Sequence, residues 1–339
     1  MTGPDFDPEE FDDEMGVFAP PLPRADRRDL IRPAEWRAAE AGLASTLAGA
    51  ALAVGRLDAM LAGMDDRARQ GATRRLALIE VETMLWAQGT PLRREEIGRD
   101  LMEARADADL DAMQLARWAL RRLEGQGSLD DLRNFLGLHR SDSPALGDAL
   151  ALRPAGHDFD SAAEGFAQGL HLSRGLHPLS CGPFARMVWR LSDLSPVDDL
   201  VEAATWAARH MARCCEALRF VPMGRHGRQV WTDTGDPATR LERHLTALSE
   251  GSAEARLHLV RVGEWAADAL RRTAPIKGSN PARVIAALAA QPLMTTAMVE
   301  EATGASRDTA ERLLARMYDM GLVRELTGTR RFRLWAAAA

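Results

Sequence analysis

Positive charge in this chain is carried by arginine: of its 43 basic residues, a lysine stands only at Lys277. A guanidinium offers five donors in a planar fork that meets a phosphate or a guanine edge with two parallel hydrogen bonds. Toward the C-terminus these groups gather. Arg307, Arg312 and Arg316, with the hydroxyls of Ser306 and Thr309 beside them, fall off the apolar side of one helical register. Arg330, Arg331 and Arg333 follow around the turn residues Thr327-Gly328-Thr329. Donors so arranged suit duplex DNA, the helical set for base edges and phosphates in the major groove and the turn set for phosphates or a minor groove.

Those arginines need a scaffold, and the surrounding residues predict one. Asn280-Pro281 opens a helix with Val284, Ile285 and Leu288 as its apolar face, stopped by Gln291-Pro292. Thr295 or Thr296 caps a second, short helix ended by Gly304. Ser306 then caps a third, in which Ala310, Leu313, Leu314 and Met317 recur at i, i+3, i+4 and i+7. Gly321 stops it, and Leu322–Leu326 and Arg331–Trp335 read as the two strands of a hairpin. Three helices and a hairpin over 281–337 make a winged helix-turn-helix. The run Gly304-Ala305-Ser306-Arg307-Asp308-Thr309-Ala310, with Leu313-Leu314 and Met320-Gly321-Leu322-Val323, resembles the DNA-binding half of bacterial winged-helix regulators. That resemblance implies a third helix seated in the major groove. From 280 to 339 the chain has 8 Arg against 6 Asp or Glu, a net of +2, which leaves open an adaptor that uses the same unit to bind protein.

The rest of the chain reads as mainly α. It has 46% hydrophobic and 27% charged residues, 5% aromatics, a single Tyr318 and few β-branched runs. The formal charge of -6 is misleading, because residues 1–14 hold seven acids and no base, leaving the remainder at +1. We expect an acidic, Pro-rich arm over 1–33 without a packed core, a helical subdomain over 34–140, a helical core over 157–273, a linker over 274–280 and the winged unit over 281–337. Helices are predicted at about 34–63, 73–87, 92–105, 108–124 and 128–137, the last capped by Ser128. A long helix over Pro196–Leu218, a hairpin or flap over Phe220–Trp231 and a helix or helix pair over 236–273 complete the body. Ala41–Val54 is apolar but rich in glycine and closed by Arg56 and Asp58, so it reads as a core helix. With an acidic N-terminus and unpaired cysteines, we expect a cytoplasmic, nucleoid-associated protein with no membrane segment.

One loop in the body invites a catalytic reading. His177-Pro178-Leu179-Ser180-Cys181-Gly182-Pro183-Phe184-Ala185-Arg186 resembles the H-P-F-x-D/E-G-N-G-R signature of Fic-type nucleotidyl-transferases, helical proteins that often end in a winged helix. His177, Pro178 and Gly182 match. Cys181 replaces the acid that would hold Mg²⁺, Pro183 and Phe184 replace the Asn-Gly that would cradle phosphate, and Arg186 comes one place late. The resemblance therefore implies a retired site, with His177, Gly182 and Arg186 as its remnants and no AMP transfer, metal or cofactor expected. His210 with Cys214 and Cys215 lacks further metal ligands, Gly125-Gln126-Gly127 lacks a full phosphate-binding fingerprint, and Trp36, Trp86, Trp118, Trp189, Trp206 and Trp265 read as core or interface anchors. In its order of parts the chain resembles a group of alphaproteobacterial proteins with a helical domain of unknown function and a C-terminal helix-turn-helix. The expectation is a homodimeric transcriptional regulator of double-stranded DNA whose body dimerises or senses an effector. A Fic-like relative with a degenerate motif and a protein adaptor are the alternatives.

Overall fold

The computed structural model describes residues 30–101, 109–138, 153–232, 234–327 and 333–339. The acidic run at 1–14, with most of the 1–33 arm, and the wing residues Arg330 and Arg331 lie outside them. The described chain is mainly helical, as its composition implies.

Local signals set the helix ends. The 34–63 segment forms two helices, α1 (Pro33–Gly42) and α2 (Ala44–Ala62), because Leu43 leaves helical geometry (φ -107°, ψ 21°) between them. Asp65 accepts a hydrogen bond from the Ala68 amide at 2.8 Å and so caps α3 (Asp66–Gln88), which stops at Gly89 with φ 91°, a conformation glycine adopts without strain. α4 (Arg94–Leu101) and α5 (Leu110–Leu123) follow, then α6 (Leu132–Leu136), which is capped by Asp131 where the sequence suggested Ser128. After α7 (Gly156–His171) and α8 (Cys181–Leu191) comes α9 (Val201–Met211), much shorter than the helix expected over Pro196–Leu218. Its early residues are diverted into a buried polar network. Arg153 binds both Glu202 oxygens at 2.7 and 2.8 Å, Ser195 donates to Glu202, and Trp189 donates to Ser195 at 2.8 Å. A hydroxyl so engaged does not cap.

The predicted hairpin over Phe220–Trp231 is absent. The segment is a loop, a 3-10 turn at Gly224–His226 and α10 (Gly227–Trp231), because its polar backbone groups are claimed by other helices: Glu80 takes the Met223 and Gly224 amides, and Arg186 takes the Val230 carbonyl. One helix, α11 (Pro237–Thr273), then runs unbroken for 37 residues from its Asp236 cap. It packs along α2, whose Ala50, Val54, Leu57 and Leu61 are buried. By length and composition α2 is the one helix among the described residues able to cross a membrane.

Beyond 274–279 come α12 (Asn280–Ala290), β1 (Met294–Thr295), α13 (Thr296–Thr303), α14 (Arg307–Asp319), β2 (Val323–Glu325) and β3 (Leu334–Ala337). The strands form an antiparallel sheet in the order β1-β3-β2, with Met294 opposite Trp335 and Val323 opposite Ala337. Two hydrophobic clusters result. The larger holds Trp36, Phe135, Phe159, Phe184, Trp189 and Phe220. The smaller joins Val284, Ile285, Leu288, Leu314, Met317 and Trp335 to Trp265 and Ala269 of α11. Arg75 of α3 ties the two together, its Nη2 donating to the last carbonyls of α12, Leu288 (2.8 Å), Ala289 (3.1 Å) and Gln291 (3.1 Å).

Candidate functional site

The arginine face is built on α14. Ser306 caps it, accepting from the Thr309 amide at 3.4 Å and lying 2.9 Å from the Thr309 hydroxyl, so the two predicted hydroxyl contacts are engaged with each other at the helix start. Ala310, Leu313, Leu314 and Met317 are buried in the smaller core. That leaves Arg307, Arg312 and Arg316 exposed. Arg307 Nε lies 3.1 Å from Glu311, and Arg312 Nη2 lies 3.2 Å from Asp308, both i,i+4 pairs on the surface. Counting Asp319, α14 carries three arginines and three acids, a face with donors but no net charge. Arg333 is exposed at the foot of β3.

The His177 loop is packed into the body. The His177 amide donates to Glu40 at 2.9 Å, and its Nδ1 accepts from the Leu179 amide at 3.2 Å, capping the 3-10 turn Pro178–Ser180 that leads into α8. The first turn of α8 is buried throughout, Cys181, Gly182, Pro183 and Phe184 included. Gly182 presses on His244 of α11, and a Cβ there would stand 2.7 Å from the imidazole and 2.8 Å from Met211 Sδ. His244 is itself fully buried. Its Nε2 donates to the Leu179 carbonyl at 3.1 Å, and burial, with the Arg186 charge adding to it, holds its pKa down to about 3, so the ring is neutral. Arg186 Nη1 donates to the Val230 carbonyl at 2.8 Å, with the guanidinium over the Trp231 ring at 4.9 Å. The three remnants thus have separate packing tasks: His177 caps a turn, Gly182 permits a close helix contact, and Arg186 holds α10.

Nearby candidates behave similarly. His210 stacks on Trp206 at 4.6 Å and is held down to about 4, chiefly by burial, while burial pushes the Cys215 thiol up to about 12. Among the described residues, no three His, Cys, Asp or Glu side chains are grouped to hold a metal ion. Trp36, Trp118, Trp189, Trp206 and Trp265 are buried, and Trp86 is half exposed beneath the Arg228 guanidinium, 4.3 Å from its ring.

One group escaped the sequence reading. Glu80 is fully buried in α3; its Oε2 accepts from the Met223 (3.1 Å) and Gly224 (2.7 Å) amides, and its Oε1 has no hydrogen-bond partner among the described residues. The signal was its spacing, four residues after Leu76 and four before Met84 on the apolar face of α3.

No family model matches the chain, and no curated protein does. Among solved structures it is similar to the 2.70 Å crystal structure of a Fic family protein from Desulfovibrio desulfuricans G20, over 86% of this chain and 95% of that one, at 13% identity and a TM-score of 0.45. The likeness is one of helical chain course, and no residue, activity or partner is carried across from it.

Proposed function

We propose that the chain is a DNA-binding protein, a transcriptional regulator that reads duplex DNA with a winged helix-turn-helix over 281–337. The observation that carries this reading is the two-sided build of α14: an apolar stripe sunk in the smaller core, and Arg307, Arg312 and Arg316 turned outward just after a short turn from α13. The β1-β3-β2 sheet beside three helices supports it, with the connection between β2 and β3 as the wing that carries Arg330, Arg331 and Arg333. In this reading α14 enters the major groove, the wing follows the backbone, and the protein works in the cytoplasm on the nucleoid as a homodimer engaging two half-sites. Fluorescence anisotropy of the full chain with a mixed-sequence duplex tests it: binding should weaken with salt and drop at least tenfold in Arg307→Ala/Arg312→Ala. Unchanged binding in that variant sinks the reading, and light scattering that finds a monomer at micromolar concentration removes the dimer.

A Fic-like relative with an altered loop is the second reading. What favours it is that the His177 loop leads straight into the start of α8, the end of a helix that suits phosphate. What opposes it is that this first turn is covered by His244 and Met211. ATP-dependent label transfer that His177→Ala abolishes would establish it.

A further inference from the structure

A cavity of about 270 Å³ lies between α3, the start of α4, the 224–226 turn, α10 and the middle of α11. That is just under the roughly 300–1,000 Å³ of typical small-molecule sites, so it suits a small metabolite. Its lining sets four arginines, Arg94, Arg225, Arg228 and Arg261, against the carboxyl groups of Glu82, Glu254 and the buried Glu80, with His258 beside them. Two of the arginines are already matched, Arg94 to Glu82 at 2.8 Å and Arg225 to Glu254 at 3.1 Å. Arg228 and Arg261 have no ion pair among the described residues, and the buried Nε of Arg228 has no hydrogen-bond partner.

We propose that this cavity binds a small phosphate monoester, with Arg228 and Arg261 as its charge partners and the unpartnered Glu80 Oε1 at the wall as a hydrogen-bonding group for one of its oxygens. Arginine suits a tetrahedral dianion because it presents paired donors and keeps its charge when partly buried. Glu80 would repel such a ligand as a carboxylate. Burial prevents that, pushing its pKa up to about 8 against the pull of the Gly224 and Met223 amides, so at neutral pH its Oε1 carries a hydrogen that nothing among the described residues accepts. The other charged or titratable groups that line the cavity with Glu80 are Glu82 on α3, Arg94 on α4, Arg225 in the turn, Arg228 on α10, and Glu254, His258 and Arg261 on α11. Of these, His258 is held down to about 4, mainly by burial and then by Arg75, Arg94 and Arg261, and so stays neutral from pH 7 to 9.

Calorimetric titration of glycerol 3-phosphate into the full chain, at constant ionic strength and at pH 7.5 and 9, tests it. A monoester is dianionic at both pH values, its second pKa being about 6. We expect one site per chain, binding about eightfold weaker at pH 9 as Glu80 ionises, and at least tenfold weaker in Arg228→Met/Arg261→Met at pH 7.5. Glu80→Gln, which keeps a neutral donor, should bind at pH 7.5 and lose the decline at pH 9. No heat from the wild type, an unchanged Kd in the double variant, the same decline in Glu80→Gln, or tighter binding of malonate would each overturn the proposal.

Discussion

Two ion pairs stand between the α14 arginines and any phosphate, and removing them makes a sharp prediction. Arg307–Glu311 and Arg312–Asp308 are exposed on both sides, with side-chain accessibilities of 54% to 80%. Unit charges about 4 Å apart attract by about 1 kcal/mol in water, and measured exposed pairs give roughly 0.2–1 kcal/mol. In the proposed DNA-binding role, freeing both arginines for phosphate costs at most about 2 kcal/mol. In Asp308→Asn/Glu311→Gln that cost vanishes together with two repulsive charges, so duplex affinity should rise about tenfold, the equivalent of about 1.4 kcal/mol. The slope of log K against log salt should steepen by about 0.9 for each newly engaged phosphate, up to about 1.8 for two. Folding should barely notice: losing the first-turn Asp308 costs about 0.3–1 kcal/mol through the helix dipole. Anisotropy titrations from 50 to 300 mM salt on the folded variant decide the matter. An unchanged Kd with an unchanged slope would refute the reasoning, because no phosphate would then be meeting this face.

Other outcomes follow from the packing. Arg75→Met removes three charged hydrogen bonds worth about 1.5–3 kcal/mol each but also relieves a buried charge whose pKa has been drawn down to about 10 by desolvation, which is about 3 kcal/mol; the net should be a loss of about 1.5–6 kcal/mol in urea unfolding, with faster amide exchange at the end of α12. A more stable Arg75→Met with unchanged exchange would show that these bonds do not hold α12. Gly182→Ala drives a methyl group to 2.7 Å from the His244 ring and should cost about 1–3 kcal/mol, most of it recovered when combined with His244→Ala in a double-mutant cycle. His244, neutral when folded with a pKa of about 3 but ordinary when unfolded, stabilises the protein fully above pH 6.5 and less as pH falls toward 3. Between pH 6.5 and 4.5 that amounts to about 2–3 kcal/mol, so His244→Gln should flatten the pH dependence of stability by that much; an identical pH profile in the variant would show that His244 is not its source.

How far the sequence could be read depended on whether a residue's partner was near in sequence. Thr295, Gly304, Ser306 and Gly321 punctuate the C-terminal helices through bonds spanning three or four residues, and all four act where the spacing places them. The mainly helical class was likewise legible from composition. The His177 loop was not, since its short motif says nothing of His244, which lies 67 positions away in the chain and covers Gly182. The same limit explains the lost hairpin over 220–231, whose amides and carbonyl are taken by Glu80 and Arg186, and the shortened helix at 201–211, whose intended cap Ser195 is bound to Glu202 and Trp189. Glu80 was visible only as a charge on an apolar stripe, and its value lies in the two amides that reach it from 143 and 144 residues further on.

Finally, α11 sets what can be inherited or exchanged as a piece. At 1.5 Å per residue its 37 residues span about 55 Å, with Leu245 and Leu248 in the larger core and Trp265 and Ala269 in the smaller. Trp265 also donates to the Leu322 carbonyl at 2.6 Å, and Arg272 donates to that of Met320. A recombination joint placed in the Gly-containing connection at 274–279 would carry α14 away without Trp265, which packs in the same core. Joints that keep both cores whole fall inside a rigid helix, where the two parental registers must agree. Gene fusion is thus expected to move this C-terminal unit only with part of α11 attached, and a chimera that swaps 260–339 should fold where one that swaps 275–339 does not.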